Sequence, residues 1–212
     1  GFRAPDATDR YGYGGNPDLK PERSRNYEVG VKHALSPQQS LTLSAFHTDI
    51  DDLIDFTVLS YDPFEGINQN VAEARIKGIE AAWIYTGSLW QARVEAIYQD
   101  PRDLSDDSRL LRRAQESLTV GLTRAFGPVL LGLDVLATGD RKDFGFPQDT
   151  TLDGYVLANL TAEWRATPSL SLIARVENLL DEDYELASTY NTPDRGLYVS
   201  MRYAPGAGNR GK

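Results

Sequence analysis

Apolar and polar residues alternate along most of this chain with a period of two, which is typical of β-strands that have one apolar face. The alternation is clearest in four segments: residues 89–100, 153–166, 169–178 and 196–203. It is less regular in six others: residues 24–33, 39–48, 53–60, 71–86, 115–126 and 128–139. No helical period of comparable length is present, so the pattern predicts an all-β protein with roughly ten strands.

The connections between these segments alternate in length. Turn-forming residues occupy four short connections: residues 36–39, 86–88, 127–128 and 167–169. Four long polar connections lie between them: residues 61–70, 99–114, 140–152 and 179–194. Short turns at one end and long external loops at the other are typical of an antiparallel up-and-down transmembrane β-barrel. Several segments also reach the roughly 9–11 residues that a tilted spanning strand needs.

Aromatic residues near the strand ends fit the same interpretation. They are Trp90, Tyr98, Trp164 and Tyr203. Indole and phenol rings prefer the headgroup level of a membrane, so these residues are predicted to form an interface girdle. The alternative is that aromatic residues simply favour strands.

The period-two pattern by itself leaves a soluble β-sandwich open as an alternative. A sandwich buries its apolar faces between two sheets, whereas a membrane barrel turns them outward and has a polar lumen. Charged residues on the polar faces, such as Arg93, Glu95 and Arg175, fit a wet lumen and a solvated surface equally well. The asymmetry of the connections favours the barrel.

The composition argues against several classes of function. The chain has 22 Lys and Arg against 31 Asp and Glu, and its net charge of -9 argues against nucleic acid as a partner. It has no cysteine, which excludes disulfides and thiolate metal sites. No run approaches the ~18 apolar residues of a transmembrane helix. The first residues lack the order of a signal peptide, so either the protein stays in the cytoplasm or its true N-terminus is missing.

Candidate catalytic and metal-binding residues are few. His33 and His47 both lie in predicted strands, and no Gly-x-Ser-x-Gly nucleophile motif accompanies them, so we expect no enzyme. The acidic segment 47–55 lacks the spacing of an EF-hand calcium loop and is interpreted as a solvated turn. The acidic segment 181–185 is interpreted as a structural corner. We therefore expect neither a metal nor another cofactor.

Six segments of the sequence occur in an informative order. They are FRAP (2–5), GNPDLKPERSRNYEVGV (15–31), ARIKGIEA (74–81), LLRRA (110–114), VENLLDEDYE (176–185) and TPDRGLYVSMRY (192–203). Together they resemble the C-terminal portion of the TonB-dependent outer-membrane receptors, and within that family the vitamin B12 (cobalamin) transporter subfamily. The resemblance extends over residues 2–203.

This resemblance implies a barrel of about 22 strands, of which residues 1–203 are about the last ten and residues 204–212 are a polar, Gly-rich tail. It implies TonB-dependent uptake of a scarce large nutrient, cobalamin first, across the outer membrane of a Gram-negative bacterium. The expected partners are that nutrient, TonB and the lipid bilayer. The plug domain and the TonB-contacting segment of the family have no counterpart here, so we expect a fragment that does not transport by itself.

Two prolines stiffen the segment that precedes the first long strand. Pro17 and Pro21 fix φ near about -65° and remove two backbone donors. Asn16 is driven toward an extended conformation because it precedes a proline. We interpret this segment as a rigid loop that directs the chain into a strand near Tyr27 and shapes the barrel rather than contacting a ligand.

The resemblance also implies candidate ligand-binding residues in the long loops. Arg112 in LLRRA, and Tyr190 with Asn191 in STYNTP, match positions that face the substrate in cobalamin transporters. Three further candidates lie in predicted loops: Tyr11, Tyr13 and Asp62. Cobalamin carries amides, a phosphate and an apolar ring face, which suit aromatic walls and arginine donors. The alternatives are a lumen salt bridge for Arg112 and an interface aromatic for Tyr190.

Two other functions remain open from the sequence. A siderophore receptor, which binds ferric chelates, would share the barrel and differ in its loops. A ten-stranded outer-membrane hydrolase would need clustered acidic residues and a histidine, His33 or His47, at the barrel mouth.

Overall fold

The computed structural model describes residues 1–70, 73–145 and 148–205. In chain order the elements of these residues are β1 (Phe2–Arg3), α1 (Ala7–Tyr11), β2 (Glu22–Ser36), β3 (Gln39–Asp51), β4 (Ile54–Tyr61), β5 (Phe64–Asn70), β6 (Glu73–Thr86), β7 (Trp90–Asp103), β8 (Glu116–Phe126), β9 (Val129–Thr138), β10 (Arg141–Asp143), β11 (Thr150–Leu152), β12 (Tyr155–Thr167), β13 (Leu170–Glu177), β14 (Glu185–Ala187), β15 (Tyr190–Asn191) and β16 (Gly196–Tyr203). The prediction of an all-β protein is confirmed.

One large antiparallel sheet dominates the described part of the chain. Its ten strands lie in the order β1-β2-β3-β6-β7-β8-β9-β12-β13-β16, so each long strand pairs with the next long strand in the sequence. β1 and β16 lie at the two opposite edges. Three small sheets are two-stranded and pair β4 with β5, β10 with β11 and β14 with β15. Of the helices in these residues, none is long and apolar enough to cross a membrane.

The connections of the large sheet are short at one end of the strands and long at the other end, as the sequence predicts. Short turns join β2 to β3, β6 to β7, β8 to β9 and β12 to β13. Long connections join β3 to β6, β7 to β8, β9 to β12 and β13 to β16, and three of them contain the small sheets. We call the end with the short turns the turn end and the end with the long connections the loop end. α1 and the segment that follows it also lie at the loop end, because they lead into the first residues of β2.

The strand register places apolar residues in continuous rows on one face of the large sheet. One such row, read across neighbouring strands, is Val31, Leu43, Ala81, Ala96, Leu118, Ala137 and Val156. A row on the opposite face is Gln91, Thr123, Gly132, Thr161, Arg175 and Tyr198. We call these the apolar face and the polar face.

The apolar face is open to its surroundings. Val29 is 73% exposed and Val199 is 74% exposed, although a soluble protein would bury such side chains. In the described residues no second large sheet covers this face, so the soluble sandwich is wrong. The best-buried apolar side chains include Leu19, Leu110 and Leu152, which belong to the loop-end connections instead.

Aromatic residues flank the apolar face at both ends. Trp90, Trp164 and Tyr203 lie at the turn end of their strands, and Tyr98 lies toward the loop end of β7. The eight steps from Trp90 to Tyr98 extend about 27 Å at ~3.4 Å per residue. After the tilt of about 35–45° that strands of membrane barrels have, this length corresponds to a height of about 19–22 Å, somewhat less than the roughly 25 Å apolar band of such barrels.

The predicted strand 53–60 is present, but it lies outside the large sheet, and one predicted loop is wrong. Residues 53–60 correspond to β4, which forms a separate hairpin, and residues 61–70, predicted as a loop, contain β5. The physical reason is that β3 pairs with β6 along its whole length, which leaves no vacant edge between them. β4 alternates because it pairs with β5 locally. The tenth strand of the large sheet is instead β1, which pairs with only two residues of β2.

Several predicted boundaries also shift, or cannot be compared. β7 continues to Asp103 although residues 99–114 are predicted as a loop, and residues 140–152 contain β10 and β11. Residues 71–72 of the predicted strand 71–86, residues 146–147 of the predicted loop 140–152 and residues 206–212 of the predicted tail lie outside the described residues.

Candidate functional site

The proline-containing loop before β2 is hydrogen-bonded to the β4–β5 hairpin. The Asn70 side chain accepts from the Lys20 amide at 2.9 Å and donates to the Lys20 carbonyl at 3.0 Å. The Asn16 side chain donates to the Asn68 carbonyl at 3.1 Å, and the Asn68 side chain donates to the Asp9 carbonyl at 3.1 Å. Pro17 and Pro21 have no backbone N–H to donate, so the loop cannot form a regular strand ladder. The side-chain amides hold the loop in place instead. The loop thereby attaches α1 to the hairpin.

An arginine clamp holds the start of the chain against β2. Arg3 donates to both carboxylate oxygens of Glu22 at 2.8 and 2.9 Å and to Asp9 at 3.0 Å. Glu22 also accepts from the Ile54 amide at 2.9 Å, which links the clamp to β4. Burial opposes ionisation of Glu22, but the bonds from Arg3 and the Ile54 amide hold its pKa below the usual value. The clamp positions α1 and β4 side by side.

Aromatic rings from three loop-end segments meet beside this loop. Tyr13 lies 6.2 Å from Phe56 and 6.3 Å from Phe64, measured between ring centroids. Phe64 in turn lies 6.2 Å from Phe144, which follows β10. The Tyr13 hydroxyl donates to the Phe64 carbonyl at 2.8 Å, while its side chain stays 67% exposed. Tyr13, Phe56 and Phe64 therefore form a stacked platform, with Phe144 edge-on to Phe64, that is still open on one side.

Two glycines make room for this platform. Gly14 has φ +66°, which favours glycine, and a Cβ there would lie 2.5 Å from a ring carbon of Phe56. A Cβ on Gly66 would lie 2.3 Å from the same ring. Phe56 therefore packs against backbone on both sides, and neither position tolerates a side chain without displacing the ring.

Asp143 connects three of the long connections. Its carboxylate accepts from the Arg112 Nε at 2.7 Å, the Ser188 amide at 2.6 Å and the Phe144 amide at 2.8 Å. The Asp143 side chain has no solvent exposure, whereas the Arg112 side chain is 60% exposed. Burial opposes its ionisation, but these hydrogen bonds from Ser188, Arg112 and Phe144 hold the pKa of Asp143 below the usual carboxyl value. The side chain of Arg112 remains accessible to solvent although its Nε is paired with Asp143.

The pKa of Asp55, which lies on the β4–β5 hairpin, is shifted in the opposite direction. Burial raises its pKa, and the charges of Asp103 and Asp149 raise it further. A hydrogen bond from the Phe56 amide and the charge of Arg112 oppose this rise. The charge of Arg112 therefore favours the ionised forms of two carboxylates, those of Asp143 and Asp55.

We call these connected residues the loop cluster. Its members are Tyr13, Phe56, Phe64, Phe144, Asp143, Arg112 and Ser188. They come from the β1–β2 connection, where Tyr13 follows α1, and from all four long connections. Together they combine aromatic faces with a partly exposed guanidinium. Such a combination suits a large ligand with apolar faces and polar edges.

The last long connection forms a corner followed by a small hairpin. Asn178 is buried, donates to the Glu182 carbonyl at 2.8 Å and accepts from the Glu182 amide at 2.8 Å. Arg195 donates to Asp181 through its amide at 3.0 Å and its guanidinium at 2.7 Å. The acidic segment 181–185 therefore closes a structural corner, as the sequence analysis interprets it.

The structure brings some of the predicted site residues together and separates others. Arg112 and Tyr13 belong to the loop cluster, and the salt bridge considered for Arg112 is present. Tyr190 and Asn191 form β15, two residues beyond Ser188, and Tyr190 is 71% exposed. The remaining two are Tyr11, exposed at the end of α1, and Asp62, at the tip of the β4–β5 hairpin. Whether any of them binds a ligand stays a prediction.

Sequence reasoning missed Asp143 and the three phenylalanines of the loop cluster. Residues 54–64 carried a usable signal, since aromatic and β-branched residues around a Pro indicate a hairpin. Asp143 carried none, because its partners lie 31 and 45 positions away in the sequence. In the part of the chain that the structure describes, no group of three or more His, Asp or Glu side chains is placed to hold a metal ion.

Comparison with known proteins gives the family of this sequence. The sequence model described as "TonB dependent receptor-like, beta-barrel" matches residues 1–179. The vitamin B12 transporter BtuB of Vibrio vulnificus is 37% identical over 215 residues, which cover 96% of this chain and 33% of that protein. BtuB of Photobacterium profundum is 33% identical over 209 residues, covering 96% and 34%. The chain thus spans about a third of the length of these relatives.

Solved structures with the same fold agree. The copper transporter OprC superposes with a TM-score of 0.79 at 20% identity, covering 95% of this chain and 36% of that one. The ferripyoverdine receptor of Pseudomonas aeruginosa superposes with a TM-score of 0.72 at 21% identity, covering 95% and 29%. These relatives and neighbours are transporters and receptors rather than enzymes, in agreement with the expectation that the chain is not an enzyme. These relatives therefore favour a receptor over the outer-membrane hydrolase.

Proposed function

We propose that this chain, which belongs to the TonB-dependent receptor β-barrel family, is part of an outer-membrane receptor that takes up cobalamin. The observation that carries the proposal is the identity of 33 to 37% to two vitamin B12 transporters over 96% of the chain. The apolar face supports the membrane location, because its exposed rows would face lipid while the polar face would line a lumen.

Residues 1–203 would contribute about ten strands to a larger barrel. Two features favour this arrangement. The chain spans about a third of its curated relatives, and its edge strands β1 and β16 pair with no further strand within the described residues. Unpaired edges are not tolerated in lipid, so other strands of the receptor would close the sheet. TonB would act on a part of the receptor outside this chain.

Ligand recognition would take place at the loop end. The ring platform around Tyr13 offers an apolar surface for the flat ring face of cobalamin, and Arg112 offers donors for its phosphate. Tyr190 and Asn191 would add an aromatic and an amide at the outer rim. Tyr11, exposed at the end of α1, and Asp62, at the tip of the β4–β5 hairpin, would contact a ligand that extends beyond the platform.

The test is ligand binding by the full gene product that carries this segment, purified in detergent. Cyanocobalamin is titrated against it by isothermal calorimetry, with ferric siderophores titrated in parallel. Saturable cobalamin binding, together with cobalamin-dependent growth of a receptor-deficient host, supports the proposal. Binding of a ferric chelate without cobalamin binding would replace cobalamin by the siderophore alternative. Binding of neither, by folded protein, would overturn the ligand assignment.

A further inference from the structure

Arg124 is a charged residue on the apolar face. It lies near the turn end of β8, two pairs before the last pair of the β8–β9 ladder, and its cross-strand neighbours on the same face are Trp90 and Leu131. The next positions along β8 on this face are Leu122 and Phe126, so its surroundings are aromatic and aliphatic. A cation at such a position calls for an explanation, because an uncompensated charge at the edge of lipid is unfavourable.

Two aromatic rings hold the Arg124 guanidinium in place. Its central carbon lies 4.4 Å from the ring centroid of Trp90 and 4.3 Å from that of Phe126. Both distances are within the range of favourable cation–π contact. The two contacts orient a planar group with fixed donors at the turn end of the apolar face.

Within the described residues, the hydrogen-bonding capacity of Arg124 is not satisfied. Its Nε is buried and has no hydrogen-bond partner, and no carboxylate of these residues forms an ion pair with it. Arginines on the polar face differ, since Arg175 pairs with Glu177 at 3.1 Å and Arg93 with Glu95 at 3.7 Å. Two aromatic rings therefore hold the Arg124 guanidinium in place, but within the described residues no anion neutralises its charge.

We propose that Arg124, held between Trp90 and Phe126, binds the phosphate of a phospholipid headgroup. Short turns of membrane barrels face the periplasm, so the turn end reaches the inner leaflet of the outer membrane. Aromatic rings at this level lie among headgroups, where a guanidinium matches a phosphate with two parallel hydrogen bonds. The lipid would supply the anion that Arg124 lacks among the described residues. This inference rests on the membrane location proposed above.

Native mass spectrometry of the full gene product tests the inference. The protein is extracted in detergent, and the phospholipids that remain bound are counted while phosphatidylglycerol is titrated. Arg124→Gln removes the charge and keeps much of the side-chain volume, and Arg93→Gln is the matched control on the polar face. We expect roughly tenfold weaker retention of one lipid in Arg124→Gln, the size of one charge-assisted hydrogen bond, and no change in Arg93→Gln.

Measurements on the wild-type protein separate the sources of the phosphate. Phosphatidylglycerol should bind, whereas diacylglycerol, which lacks the phosphate, should not. Inorganic phosphate that binds equally well without any retained lipid would overturn the lipid assignment, as would equal lipid retention in wild type and Arg124→Gln. If Arg124→Gln fails to fold, as judged by heat-modifiable gel mobility, the three wild-type titrations still decide whether the protein binds a lipid phosphate, and equal retention of diacylglycerol would overturn the proposal. Failure of the wild type to enter nanodiscs would instead count against the membrane location itself.

Discussion

Removing the Asp143 carboxylate should release the β14–β15 hairpin from the rest of the loop cluster. In Asp143→Ala, the amides of Ser188 and Phe144 and the Nε of Arg112 lose a shared acceptor that has no solvent exposure. The Arg112 side chain is 60% exposed, so its ion pair contributes at most about 1 kcal/mol. The two amides matter more, since an unsatisfied and partly buried donor costs about 1–3 kcal/mol.

The free energy that holds the hairpin closed should therefore fall by at least about 2 kcal/mol, and the loss should appear as local opening of the loop end and not as global unfolding. The strand ladders of the large sheet do not involve Asp143, so they should persist. Hydrogen exchange of the Ser188 amide in the full gene product measures this opening directly. We expect its protection to fall by roughly thirtyfold, the factor that corresponds to about 2 kcal/mol.

A matched control is Asp106→Ala, which removes another loop carboxylate that accepts from the nearby Ser108 amide at 2.9 Å. That substitution should leave the exchange of Ser188 unchanged. If Ser188 retains full protection in Asp143→Ala, Asp143 does not connect these loops and the reasoning is wrong.

The same link should be sensitive to acid. The pKa of Asp143 is lowered from an ordinary value of 3.8, so its ionised form contributes stability that is fully present above pH 3.8. That stability is lost as the pH falls through the lowered folded-state pKa. Protection of Ser188 in wild type should therefore stay constant from neutral pH down to about pH 4. A marked decrease between pH 7 and pH 5 would contradict this assignment.

Three further substitutions test the loop end. Asp55→Asn should make the β4–β5 hairpin more resistant to proteolysis at pH 7, since the raised pKa of Asp55 means that its charge opposes folding there; greater susceptibility would refute this. Gly66→Ala would place a Cβ 2.3 Å from a ring carbon of Phe56, so it should disrupt the ring platform and weaken cobalamin binding at least several-fold. Gly132→Ala is the control, since the nearest atom to its Cβ would lie at 3.8 Å and binding should not change. Tyr190→Ala should weaken cobalamin binding by roughly tenfold, as expected for loss of one aromatic contact, while Tyr198→Ala on the polar face should have little effect; equal affinities would exclude Tyr190 from the site.

The loop-end contacts illustrate why a site is harder to predict than the strands that support it. Arg112 and Tyr13 could be named from resemblance and from loop position. Asp143 could not, because its importance depends on three donors that the fold gathers from distant parts of the chain. Phe56 and Phe64 escape prediction for a related reason, since the hairpin that carries them reads in the sequence as one strand followed by a loop. Phe144 follows β10, and only the tertiary structure brings it against Phe64.

The sequence by itself determined the class of fold, the two faces of the sheet and the asymmetry of its two ends. These follow from local rules, because side chains alternate across a strand and turn residues act within a few positions. Which strands pair was decided only by the tertiary structure. β4 alternates like its neighbours, yet it leaves the large sheet because β3 and β6 satisfy one another along their full length. The loop cluster and the contact between Arg124 and Trp90 likewise depend on register and on long-range contacts, which alternation alone does not encode.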